Sequence, residues 1–248
     1  MNLIKSKVII GLVISVLVGV GAVVFYKYQQ SANKNQITGN YNPQINPSDF
    51  TTKITNPYFS LPVGKKMVYE SETAEGSERV EIEIEGRTRK VMGVETIIYR
   101  DRGYLDGELV EDTKDYLAQD RAGNVWYFGE DVDSYEDGKL KDHQGAWLAG
   151  VDGAKPGIWI KGNHVVGDSY RQEFYKGEAE DIRDVVALNQ TVTTNRATYN
   201  NCVKFYEWTP LDTKSREYKY YCSEVGTLVL IENLETGARS ELSSVVSP

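Results

Sequence analysis

Along most of the chain, apolar and polar residues alternate with a period of two. In SERVEIEIE (77–85) Val80, Ile82 and Ile84 alternate with Glu81, Glu83 and Glu85, the pattern of a strand with one packed face and one solvated acidic face. VETIIYRDRGYL runs into Asp106-Gly107, a strong two-residue hairpin signal, before ELVEDTKDYLAQD returns. Residues 121–124 (RAGN) turn the chain into VWYFG, and Asp137-Gly138 marks a further hairpin. SYRQEFY (169–175), DVVALNQTVTT (184–194), CVKFYEW, REYKYYC and TLVLIEN (227–233) continue the pattern. After residue 55 no segment sustains a 3.6-residue apolar period for three turns. The best helical candidate is a short stretch around Glu178–Asp184. These runs predict an all-β fold of about ten to twelve strands. The strands form an antiparallel meander, closed as a barrel, a half-barrel or a strongly curved sheet, because long exposed edges invite pairing with other chains.

One segment breaks the alternation. Val8–Phe25 (VIIGLVISVLVGVGAVVF) is 18 residues without a charge, about 27 Å as a helix and so close to the hydrocarbon thickness of a bilayer. Tyr26, Lys27 and Tyr28 follow as an interfacial flank. The expected organisation is an N-terminal membrane anchor over 1–28 with one transmembrane helix (span 8–25). A flexible linker over 29–55 follows, rich in Asn, Gln, Ser, Thr and Pro, and then a β-rich domain over 56–248. A signal peptide cleaved to release a secreted domain is the alternative, although the apolar run exceeds the usual 7–15 residues. Lysines flank both sides of the span, so charge alone does not orient it.

The two cysteines, Cys202 and Cys222, lie equally far from the turn-like stretch around residue 212, between two strand-like runs. Such positions face each other across a hairpin, which makes a disulfide feasible. A disulfide in turn favours an extracytoplasmic domain. Two buried thiols are the competing reading.

The net charge is −8. Lys5, Lys7 and Lys27 belong to the N-terminal segment, so the remainder carries 25 basic against 36 acidic side chains, about −11. That balance argues against nucleic acid and anionic lipid surfaces as partners of the domain. The membrane is expected as a partner only through the N-terminal helix. Eleven acids and two bases fall between Asp106 and Asp137. Glu130, Asp131, Asp133 and Asp137 stand close together on what reads as a loop, so Ca²⁺ is the one cofactor worth weighing. The spacing is not that of an EF-hand, and a solvated acidic face is the simpler account. Without Ca²⁺, no cofactor is expected. His143 beside Asp142 adds little. No GxSxG, HExxH, CxxC, phosphate-loop or dinucleotide pattern is present.

Trp126, Tyr127, Trp147 and Trp159 are the candidate ligand-binding aromatics. Trp147 and Trp159 sit in a Gly-rich stretch (145–159) that suggests an ordered loop over a barrel mouth or sheet face. The expected function is non-enzymatic binding of a ligand or envelope partner through the 126–160 face. A glycan-active hydrolase using paired carboxylates, or a Ca²⁺-stabilised surface module, are the alternatives.

Four stretches, NPYFSLPVGKKMVYE (56–70), AQDRAGNVWYFGEDVDSYEDGKL (118–140), AGVDGAKPGIWI (149–160) and GDSYRQEFYKGEAED (167–181), resemble a family of bacterial and archaeal surface proteins. Its members are often lipoproteins and have no established activity. The resemblance implies one extracytoplasmic β-rich domain and assigns no catalytic residues. This chain departs from the lipoprotein members in having no lipid-attachment cysteine directly after the apolar span, as if the span replaced the lipid.

Overall fold

A computed structural model describes residues 41–248. The N-terminal span, its flank and the first part of the expected linker lie outside the described residues. Among the described residues no helix is long and apolar enough to cross a membrane.

The described chain is almost entirely strand. The first half holds β1 (Phe50–Thr51), β2 (Thr55–Asn56), β3 (Phe59–Ser60), β4 (Lys66–Thr73), β5 (Gly76–Val91), β6 (Val94–Leu105), β7 (Glu108–Asp120) and β8 (Val125–Glu136). Short pieces β9 (Lys139–Asp142), β10 (Trp147–Leu148), β11 (Gly157–Ile160) and β12 (Ser169–Arg171) come next. The last five are β13 (Ile182–Thr193), β14 (Thr198–Trp208), β15 (Arg216–Cys222), β16 (Thr227–Asn233) and β17 (Arg239–Val246). The count exceeds expectation because pairings of two to four residues are too short for alternation to reveal.

Fifteen strands form one antiparallel sheet, in the order β10-β8-β7-β6-β5-β4-β17-β16-β15-β14-β13-β12, with β1 on β7 and both β9 and β11 on β8. Two meanders, β4–β8 and β12–β17, are therefore joined at the centre by the pairing of β4 with β17. The tight turns follow local chemistry. Asp106-Gly107, Asp137-Gly138 and Met92-Gly93 each place two consecutive residues at positive φ, the geometry of the hairpin turn whose twist matches the strands. The last of these carries a methionine in that region and is not announced by the usual turn dipeptides.

The sheet is open, not a closed barrel, but it curls strongly. Asp101 on β6 and Lys219 on β15 stand five strands apart in the sheet order, yet they line one cavity. The two ends of the sheet meet through the segment after β9. A single bridge pairs Lys155 with Phe174, and Arg183 of β13 donates to the carbonyl of Trp159 on β11. Gly157 has a packing reason: a Cβ there would lie 2.2 Å from the carbonyl oxygen of Gln172.

Aromatic rings fill the curl. Phe59 stacks on Trp159 at 5.6 Å between ring centroids and touches Tyr99 and Tyr221, each at 5.8 Å. Fully burying rings of this size is among the larger apolar contributions available to a core.

Two expectations need correction. The spacer expected over 29–55 is ordered from Tyr41 onward. Tyr41 donates to the Pro156 carbonyl at 2.8 Å, and Phe50 sits edge-on to Trp126 and Phe128. Polar composition hid this, because three apolar side chains (Tyr41, Ile45 and Phe50) do the anchoring. The helix expected around Glu178–Asp184 is absent. The chain turns at Tyr175–Ala179 and enters β13 at Ile182, because Ile182 and Val185 gain burial on the sheet.

The cysteines form a disulfide. They are direct partners in the β14–β15 register, with Cα atoms 4.0 Å apart and 20 residues of separation. Replacing both with Ala should lower the unfolding free energy by about 3 kcal/mol through a less constrained unfolded chain. Urea denaturation of the oxidised protein and of the double variant measures the difference.

Candidate functional site

The concave face is unusually polar for the inside of a curled sheet. Alternation places Ile97, Tyr99 and Asp101 on one face of β6. By the same rule Val203, Phe205 and Glu207 share a face of β14, and Glu217, Lys219 and Tyr221 share a face of β15. Those faces point inward: Ile97, Tyr99, Val203, Phe205, Glu207, Glu217 and Tyr221 are all buried. Between them lies a cavity of about 210 Å³, partly open to solvent, walled by Tyr69, Tyr99, Trp159, Trp208 and Tyr221. Five carboxylic side chains line it, Asp101, Glu111, Asp181, Glu207 and Glu217, against a single lining cation, Lys219.

A buried charge needs a partner, and two cations near the cavity, Arg183 and Lys219, go chiefly to one acid. Arg183, fully buried, grips Glu207 Oε2 through Nε at 2.8 Å and Nη2 at 2.5 Å. Lys219 donates to Glu207 Oε1 and lies 3.3 Å from Glu217 Oε2. Burial alone would raise the Glu207 pKa, but Arg183 and Lys219 together hold it down at about 2. Lys219 is correspondingly pushed up, with Glu207 and Glu217 outweighing its own burial.

Glu217 is the cross-strand partner of Glu207 and behaves oppositely. Burial lifts it to about 7, with Lys219 opposing and Glu207 reinforcing the rise. Its Oε1 has no hydrogen-bond partner among the described residues. Asp101 is also raised well above the carboxylate range, by burial first and then by Asp115 and Glu111. Deeper along the same face lie Asp115, Glu130 and Glu173. Each is raised chiefly by burial and then by neighbouring carboxyls, although Tyr127 donates to Asp115 at 2.6 Å and opposes the shift there. Asp181 is raised in the same way, by burial and by Glu207. The interior therefore resists ionisation of its carboxyls, chiefly through burial.

Of the four aromatics singled out from the sequence, three come together. Tyr127 packs edge-on against both Trp147 (5.2 Å) and Trp159 (5.1 Å), and Trp159 lines the cavity. Trp126 takes the other face of β8, where its indole N–H donates to Asp120 at 2.8 Å and its ring meets Phe50.

Three of the four candidate metal carboxylates lie on a strand and not on a loop. Residues 125–136 are strand β8, so Glu130 and Asp131 take opposite faces. Glu130 lies inside, accepting from the Trp147 indole at 3.2 Å. Asp131 outside accepts from Arg89 and from Tyr116, at 2.5 and 2.6 Å. Asp133 faces His143 at 2.9 Å, and Asp137 occupies the hairpin turn. Among the described residues, no group of three or more His, Cys, Asp or Glu side chains is placed to share a metal ion.

Sequence reasoning missed Asp101, Glu111, Asp181, Glu207, Glu217 and Lys219. A signal existed: Glu207 continues the inward parity of Val203 and Phe205, where a solvent-facing charge has no place.

The fold and the site define an all-β domain whose curled sheet encloses a small, acidic, aromatic-walled cavity. Comparison with family models, curated proteins and solved structures returns no match.

Two outcomes follow from this electrostatic arrangement. Replacing Arg183 with Met strands the Glu207 carboxylate in the interior and should cost about 3–5 kcal/mol of stability, read from the urea midpoint. The second concerns pH. Because the folded pKa of Glu217 lies above its unfolded value, its contribution is complete in acid and fades as pH rises toward 7. Glu207, held low, acts in the opposite sense and loses its contribution as pH falls toward 2. Stability should therefore peak in mild acid and decline between about pH 5 and 7, by up to about 1.4 kcal/mol per unit for Glu217. In Glu217→Gln, which mimics the protonated acid, denaturation at a series of pH values should show a flatter decline.

Proposed function

We propose that the domain is a binding module that takes a small ligand into the cavity of the curled sheet, and that it works tethered on the outer side of a membrane. The cavity carries the reading: aromatic walls and unsatisfied polar groups converge on about 210 Å³, whereas drug-sized sites usually span roughly 300–1,000 Å³. The expected ligand is accordingly small. The Cys202–Cys222 disulfide supports an oxidising compartment, and the apolar Val8–Phe25 segment supports the tether.

A hydrolase is the second reading, and one observation favours it. Glu207 and Glu217 are cross-strand neighbours whose ionisation is pulled in opposite directions, as in acid–base pairs. Against it, Glu207 is occupied by Arg183 and Lys219, which leaves little freedom for attack or proton transfer.

Melting curves with monosaccharides, amino acids and short amines at millimolar concentration test the binding reading. At least one class should raise the melting temperature, by an amount corresponding to about 2.7 kcal/mol at a hundredfold excess over Kd. That shift should shrink in Trp159→Ala, and an unchanged melting temperature with every class removes the reading. Turnover of aryl glycosides, lost in Glu217→Gln, would replace it with hydrolysis. For the tether, a C-terminal epitope tag should be reachable by antibody on intact cells, and access only after lysis would place the domain inside.

A further inference from the structure

Resting on the ligand-binding reading, we propose that the ligand is a small hydroxylated organic cation, its ammonium group bound by Asp101 and Glu217 and an oxygen atom receiving the Trp159 indole N–H. Three observations single out these groups. Glu217 is only 5% exposed and lines the cavity, yet its Oε1 accepts no hydrogen bond among the described residues. Its other oxygen already faces Lys219. A buried carboxyl with one satisfied and one empty oxygen is costly to keep unless something fills the vacancy.

Asp101 lines the same cavity, and burial together with Asp115 and Glu111 resists its ionisation. Lys219 is the one cation whose charge is felt at Asp101, and only weakly beside the carboxyls around it. Arg183 is committed to Glu207 and the Trp159 carbonyl, and Lys219 to Glu207 and Glu217. With five lining carboxyls against one lining cation, an arriving ammonium group supplies the positive partner that lets Asp101 and Glu217 ionise in spite of burial, and a neutral ligand does not.

The aromatic walls suit the same chemistry. Tyr99, Trp159 and Tyr221 present rings to the cavity, and ring faces attract organic cations once water is excluded. The Trp159 Nε1–H is itself a buried donor without an acceptor among the described residues, which asks for an oxygen on the ligand and separates a hydroxylated amine from a plain alkylamine. Metal cations are less suited, because no three of these side chains are placed to share one among the described residues.

Glucosamine and glucose are a suitable probe pair, since they share a ring and differ at one position, an ammonium in place of a hydroxyl. Isothermal titration at pH 6.5 should show glucosamine binding at least about tenfold more tightly than glucose, as expected for one charge-assisted hydrogen bond. Asp101→Asn and Glu217→Gln keep shape and remove charge, so each should lose about tenfold for glucosamine and distinctly less for glucose. Trp159→Phe keeps a ring and removes the N–H, and should weaken both sugars alike. Melting curves of each variant verify that it is folded, and a variant that fails to fold is replaced by titrating the wild type with glucosamine at rising salt. A buried charge pair should survive 0.5 M NaCl, whereas loose surface attraction should not. Equal binding of glucose and glucosamine overturns the cation assignment while leaving the ligand-binding reading intact. Absence of glucosamine binding, with another compound class still raising the melting temperature, also overturns it. No response to any class removes both.

Discussion

The grip of Arg183 on Glu207 is the interaction on which the shape of the molecule turns. Arg183 sits on β13, near one end of the sheet, and reaches both the neighbouring strand β14 and the Trp159 carbonyl on β11, which belongs to the other end. A sheet of this many strands could splay open, since among the described residues a single isolated backbone bridge ties its ends. A fully buried guanidinium with no neutral state near physiological pH makes splaying costly, because its donors would lose their acceptors. The curl, the cavity and the stacking of Phe59 on Trp159 are thus held by an ion pair inside the core as well as by apolar burial.

That arrangement has an electrostatic consequence. Once Glu207 has claimed most of the available positive charge, the remaining inward carboxyls share only what is left of Lys219, and burial pushes them toward the protonated form. The interior is a set of acids in which Glu207 alone is held well below the carboxylate range by paired cations. Such a set is expensive for a purely structural core, where apolar residues of similar volume often serve as well or better. Its presence beside an open cavity is why the site, and not the acidic outer surface, carries the functional reading.

Much of the architecture was legible because strand alternation is local. The hairpins at Asp106-Gly107 and Asp137-Gly138 and the cross-strand meeting of Cys202 with Cys222 follow from spacing. Other features depend on partners remote in sequence. Whether Tyr41 and Phe50 anchor a segment depends on Pro156 and Trp126, which no local pattern reveals. Glu130 and Asp131 look alike in sequence, and only the discovery that they lie on a strand sends one into the core and the other to Arg89. Asp101 and Lys219 share a cavity because the sheet curls, a property of the whole sheet and not of any window within it.

The far end of the sheet has its own lesson. Strand β12 covers only the first three residues of β13, so most of that strand's outer edge has no strand partner among the described residues. Its ladder with β14 is interrupted three times, and Asn189 sits at positive φ. Repeated breaks of this kind bend an edge out of the flat geometry that another chain would need in order to zip onto it. Copies of the protein can therefore crowd together side by side without their exposed edges fusing into a continuous ribbon.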